Sequence, residues 1–132
     1  METRTIVVAV VEKKDQILFG RKEKDRGPYP NKWLVLGGGV EKNETYEEAL
    51  HREVKEEANI EIEIIEKMCI DEDIEPNKHG IPTKYTFHTY KCKYISGEVK
   101  AGDDMAILQW IDKDKIKDLD MCKPSKKLFL NI

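Results

Sequence analysis

The residues with the most chemical potential are Glu44, Arg52, Glu53, Glu56 and Glu57. At about 100° per residue, a helix places Glu53, Glu56 and Glu57 within an arc of roughly 100°, so three carboxylates leave one side of a single turn. Crowded carboxylates repel one another, which raises their pKa values and costs stability until a cation sits among them. Mg²⁺ meets that demand, because it prefers oxygen ligands, keeps several waters and completes its shell with substrate phosphates. Arg52 lies one turn before Glu56, where it can orient that carboxylate without taking part in chemistry. Upstream, Gly37–Gly39 predict a loop bare of side chains, which lets backbone carbonyls and amides approach a metal or a phosphate.

Taken alone, the glutamates and lysines of this stretch would suit a solvated helix laced with i,i+4 salt bridges. The complete spacing argues otherwise. Gly38 is followed after five residues by Glu44, and after seven more by Arg52-Glu53-Val54, a spacer, Glu56-Glu57, a spacer, Asn59 and Ile60. The segment resembles the Nudix box, G-x5-E-x7-R-E-U-x-E-E-x-G-U with U aliphatic, at every position but one. With a background of about 7% at each of six polar or glycine positions, chance produces the match about once in ten million starting points. The departure is Asn59 in place of glycine, and asparagine also adopts the left-handed conformation that closes helices.

The resemblance reaches beyond the box. Asn31-Lys32-Trp33 before the glycines, and Gly102-Asp103-Asp104 ahead of Gln109-Trp110, are similar to compact, MutT-like or ADP-ribose pyrophosphatase-like members. It implies an α/β/α sandwich (α/β or α+β class), with a mixed sheet flanked by helices, spanning 1–132 as one domain. It also implies hydrolysis of a diphosphate linkage in a nucleoside-diphosphate-X substrate, either an ADP-ribose-like compound or a (d)NTP, including oxidised ones. By carry-over, Glu53, Glu56, Glu57 and the Gly38 carbonyl would bind Mg²⁺, with Mn²⁺ as a substitute, and Glu44 would support them from the loop. The catalytic set is then Arg52, Glu53, Glu56, Glu57 and Asp104, with Glu53 and Asp104 as alternative bases. Trp33, Arg21 and Tyr85 are the candidate substrate contacts. Two other readings stay open: an RNA 5′-end pyrophosphohydrolase, and a nucleotide-sensing domain without turnover.

The elements that must position these groups are legible in outline. Thr5–Val11 and Gln16–Arg21 read as a hairpin, Asp25–Lys32 as a turn-rich loop, and Trp33–Leu36 as a short strand running into the glycines. Thr45 with Glu48 has capping-box spacing, so the main helix spans Thr45 to about Ala58 and ends at Asn59. Leu50, Val54 and Ala58 recur at fours and predict its buried side. Ile60, Ile62 and Ile64 alternate with glutamates in a strand reaching Cys69 or Ile70, and Asp71–Pro82 reads as a polar loop. Lys84–Ile95 suits one long strand or a hairpin, Ile107–Ile111 a strand, Lys113–Leu119 a short helix, and Ser125–Leu130 a terminal helix opened by Pro124.

Bulk properties exclude several classes. A chain of 132 residues with 39% hydrophobic content can bury a core without metal or disulfides. Its 23 basic and 26 acidic residues are interspersed for a net charge of −3, so no basic stripe favours stable nucleic-acid binding. A small nucleotide, bound by a monomer or a homodimer, is the expected partner. Cys69, Cys92 and Cys122 are odd in number and unmotivated in spacing, which predicts reduced, mostly buried thiols. His51, His79 and His88 are isolated and form no zinc set. No N-terminal run approaches the ~20 apolar residues of a membrane span and no signal pattern is present, so the cytoplasm is the expected compartment.

Overall fold

The computed structural model describes residues 1–22, 29, 31–102 and 105–130. The strands are β1 (Glu2–Lys13), β2 (Gln16–Lys22), β3 (Leu36–Gly39), β4 (Glu61–Pro76), β5 (Pro82–Ser96) and β6 (Met105–Asp112). The helices are α1 (Tyr46–Ala58), a 3₁₀ turn at Lys113–Asp118, and α2 (Lys123–Leu130). One six-stranded mixed sheet has the order β4-β5-β1-β2-β6, with β3 paired to β1 outside that path. Among the described strands only β1 and β5 run parallel.

The sheet forks along β1. Near its end β1 pairs with β2 through Glu12 and Lys13, around a two-residue turn in which Lys14 takes a φ of 57°. Earlier, Ile6–Ala9 pair instead with β3. Alternation along β1 then sorts the core into two layers. Val7, Ala9 and Val11 face the α1 side with Leu50, Val54 and Ala58, all fully buried. Val10 belongs to the opposite layer with Phe19, whose ring lies 5.3 Å from that of Phe129 on α2. Apolar residues on both faces of a central sheet thus produce the predicted three-layer sandwich.

Helix α1 begins and ends as its local chemistry dictates. Thr45 Oγ1 accepts from the Glu48 amide at 3.0 Å, and Glu48 Oε1 accepts from the Thr45 amide at 2.8 Å. This reciprocal cap satisfies two otherwise orphaned donors. Asn59 closes the other end in the left-handed region, with φ of 63° and its amide donating to the Lys55 carbonyl.

Two expectations need correction. The glycines form strand β3, whereas Trp33 and Leu34 make only isolated bridges, to Met121 and Gly20. Gly37 must be bare for that pairing, since a β-carbon there would lie 2.2 Å from the Val7 carbonyl oxygen. Residues 71–76 are the far half of β4, not a loop. Backbone pairing to β5 holds them there, and Lys123 and Lys127 of α2 balance Asp71, Asp73 and Glu75. The hairpin turn proper follows at Asn77, whose Oδ1 accepts from the His79 and Ile81 amides. The three thiols are mostly buried, as expected, with Cys92 and Cys122 inside and Cys69 exposed. Burial pushes the Cys92 thiol up to about 12, which leaves it inert at neutral pH.

Candidate active site

Arg52 is the hub of the glutamate-rich turn. Its Nε donates to Glu44 Oε2 at 2.6 Å and its Nη2 to Glu44 Oε1 at 2.9 Å, a two-pronged contact that uses the planar fork of the guanidinium. Nη2 also donates to the Gly39 carbonyl at 2.9 Å. Nη1 donates to Glu53 at 2.7 Å and, over a longer 3.3 Å, to Glu56. The expected Arg52–Glu56 contact is therefore present but secondary to those with Glu44 and Glu53. The hydrogen bonds that Arg52 donates hold the Glu44 carboxyl down at about 2, and the same bonds to Glu44 push the guanidinium pKa up in return.

The three helix glutamates occupy different environments. Glu56 is about half exposed and Glu53 largely covered. Glu57 is 1% exposed and accepts from the Gly37 amide at 3.0 Å. Strand β3 thus runs directly past two of them. A β-carbon on Gly38 would stand 2.3 Å from the Glu53 carboxyl, so the space a side chain would fill is taken by that carboxylate. Among the described residues no three acidic, histidine or cysteine side chains already converge as a closed metal cage. The donors nevertheless suit a hard divalent ion: carboxylates of Glu53, Glu56 and Glu57 beside a backbone free of side chains at Gly38.

On the other side of β3 a cavity of ≈ 580 Å³ reaches Gly37 and Gly38. It lies on the α2 face of the sheet. Its walls include Val8, Tyr85, Phe87 and Leu128, and its rim carries Asp71 and Lys127. The rings of Tyr85 and Phe87 stack with centroids 6.2 Å apart. Of the predicted substrate contacts, only Tyr85 lines this space. Trp33 lies within the second core layer with the Arg21 guanidinium 5.6 Å over its ring, and Arg21 also donates to the Asn31 carbonyl. Asp104, the candidate alternative base, falls outside the described residues.

The sequence reading missed the rim residues Asp71 and Lys127 because their segments read as loop and as terminal helix. It also missed the clamp on the end of α1. There the Lys100 amide donates to the Ala58 carbonyl and the Gly102 amide to the Glu57 carbonyl, both at 3.0 Å. A glycine before two aspartates was the available signal.

A carboxylate-bearing helix turn, ordered by one arginine and abutting a bare glycine strand at a ligand-sized cavity, suits a hydrolase that works on phosphoanhydrides. Comparison with known proteins gives the class its family. The NUDIX domain family model matches residues 1–132. Nucleoside triphosphatase NudI of Enterobacter sp. (strain 638) is 27% identical, over 98% of this chain and 96% of that protein. NudI of Escherichia coli (strain K12) is also 27% identical, over 96% and 94% respectively. Among solved structures, the MutT protein of Methanosarcina mazei Go1 superposes with a TM-score of 0.84 at 20% identity, covering 98% of this chain and 92% of its own. A MutT Nudix hydrolase of Burkholderia pseudomallei does so with a TM-score of 0.78 at 23% identity, covering 99% and 98%. The chain belongs to the Nudix family and is a pyrophosphohydrolase.

Proposed function

We propose that this protein is a Mg²⁺-dependent hydrolase of nucleoside triphosphates, cleaving a diphosphate linkage laid across Gly37–Gly39 with the nucleoside in the adjoining cavity. The observation that carries this reading is that both features meet on the same two glycines: Gly37 and Gly38 line the cavity, while Glu57 bonds the Gly37 amide and Glu53 fills the space beside Gly38. A ligand reaching from one to the other would present its phosphates to the glutamates and its apolar-faced base to Tyr85, Phe87 and Leu128. The relatives carrying the name nucleoside triphosphatase favour this over an ADP-ribose-like substrate.

Mg²⁺, when bound by Glu53, Glu56, Glu57 and the Gly38 carbonyl, would neutralise the diphosphate oxygens and acidify an attacking water. The chain's own part is geometric. Arg52 ties Glu44, Glu53 and the Gly39 carbonyl together, fixing the distance between helix and glycine strand. The bare glycines admit a phosphate close to backbone amides. The water's proton goes to Glu53 or to Asp104, and comparing Glu53→Gln with Asp104→Asn separates them. Loss of the acidic limb of the pH–rate profile marks the base.

The test is phosphate and pyrophosphate release from nucleoside triphosphates, oxidised triphosphates and ADP-ribose, with Mg²⁺ and with chelator. Chelator-sensitive triphosphate cleavage that Glu57→Gln abolishes is the expected result. Full turnover by Glu57→Gln would refute the metal assignment. Nucleotide binding without cleavage by the wild type would turn the reading to a sensor.

A further inference from the structure

The rim of the cavity opposite the glycines is a fixed pair of opposite charges. Lys127 Nζ on α2 donates to Asp71 Oδ1 on β4 at 2.6 Å, and the Glu72 amide donates to the same oxygen at 2.8 Å. Two donors on Oδ1 set the plane of the carboxylate. Among the described residues no hydrogen bond reaches Oδ2. The ammonium has spent one of its three donors on Asp71. The hydrogen bond to Asp71 also pushes the Lys127 pKa up, so the ammonium keeps its charge at neutral pH. An acceptor and a donor therefore stand side by side, at the mouth of a space whose floor is aromatic and aliphatic.

We infer, resting on the proposed nucleotide reading, that Asp71 and Lys127 read the edge of the base and select nucleotides in which a ring N–H adjoins a carbonyl. The bases of that class are guanine, hypoxanthine, uracil and thymine. Their ring N–H is the most acidic donor on a base edge, and a charged acceptor bonds most strongly to the most acidic donor. The neighbouring carbonyl oxygen takes the ammonium. Adenine and cytosine instead offer an amino group, a far less acidic donor, beside a ring nitrogen that can still accept from the ammonium, so it is the bond to the carboxylate that weakens. A wrong base that covers the pair also leaves it imperfectly bonded, and that mismatch is where hydrogen-bonding sites gain their discrimination. Stacking on Tyr85 and Phe87 would hold any base, so the apolar floor supplies affinity and the rim supplies choice.

The experiment is kcat/KM for GTP, UTP, ATP and CTP with the full chain and Mg²⁺, in wild type, Asp71→Asn and Lys127→Met, with thermal unfolding as the folding control. The wild type is expected to favour GTP and UTP by about tenfold or more. In both variants that ratio should fall toward one, chiefly through KM. A pair that merely ties α2 to β4 would lower all four substrates together and leave the ratio intact, which would overturn the inference. Equal wild-type turnover of all four bases would also overturn it while leaving the hydrolase reading standing. No turnover of any would remove both.

Discussion

The Gly102 amide donates to the carbonyl oxygen of Glu57 over 3.0 Å, and a β-carbon on Gly102 would stand 2.4 Å from the carbonyl oxygen of Glu56. The segment entering β6 is thus docked on the backbone of two of the three glutamates proposed to hold the metal. It also gives partners to carbonyls at the end of α1 that helix geometry leaves without one. Gly102→Ala meets backbone, which cannot swing away, so either the segment or the helix end must shift. The expected outcome is a fall in kcat of about tenfold with KM little changed, because an ångström of misplacement is felt in the transition state. Steady-state kinetics, with equilibrium unfolding alongside, separates this from simple loss of folded protein.

Arg52→Lys keeps the charge and loses the fork. Lysine cannot span Glu44, Glu53 and the Gly39 carbonyl together, so the variant should lose about 1–2 kcal/mol of stability in urea titration. Its turnover should fall about ten- to a hundredfold, the usual cost of losing a partner that orients metal ligands, the role proposed for these glutamates. Turnover at the wild-type level would show that the glutamates orient themselves.

The depressed pKa of Glu44 predicts a pH window. Its folded value of about 2 lies below the ordinary 4.5, so between those limits the unfolded chain binds more protons and stability rises with pH. The contribution is complete above about 4.5 and is lost as pH falls toward 2. Denaturation midpoints of wild type and Glu44→Gln should therefore differ at pH 7 and converge through that window. A constant difference down to pH 2 would contradict the pairing.

Asn59 holds a φ of 63°, and its side chain donates to the Glu98 carbonyl at 3.1 Å. Asn59→Ala should cost about 1 kcal/mol or more, since a β-carbon is strained in the left-handed region and the side-chain bond is lost. Asn59→Gly relieves the strain while losing the same exposed bond, so it should be near neutral. Thermal midpoints for the two variants decide between a conformational and a hydrogen-bonding role.

Local patterns carried the reading of α1. The Thr45–Glu48 cap, the fourfold recurrence of Leu50, Val54 and Ala58, and the close of the helix at Asn59 depend on residues a few positions apart. Helix geometry alone therefore places Glu53, Glu56 and Glu57 on one side. The family and the spacing of the carboxylates were legible for that reason, and the three layers followed from the resemblance to the family.

What the tertiary structure decided involves partners distant in the chain. A run of glycines has no intrinsic strand preference, and Gly37–Gly39 become β3 only because β1 offers a pairing edge where a β-carbon at Gly37 would collide. Residues 71–76 read as loop by composition. They became strand because β5 supplies the hydrogen bonds and α2 the lysines. The ranking of Arg52's partners, the clamp of Gly102 on Glu57, and the meeting of Asp71 with Lys127 at the cavity likewise have no local signature. Each is a contact between segments whose separate patterns are compatible with many arrangements, and packing of the two faces of one sheet selects among them.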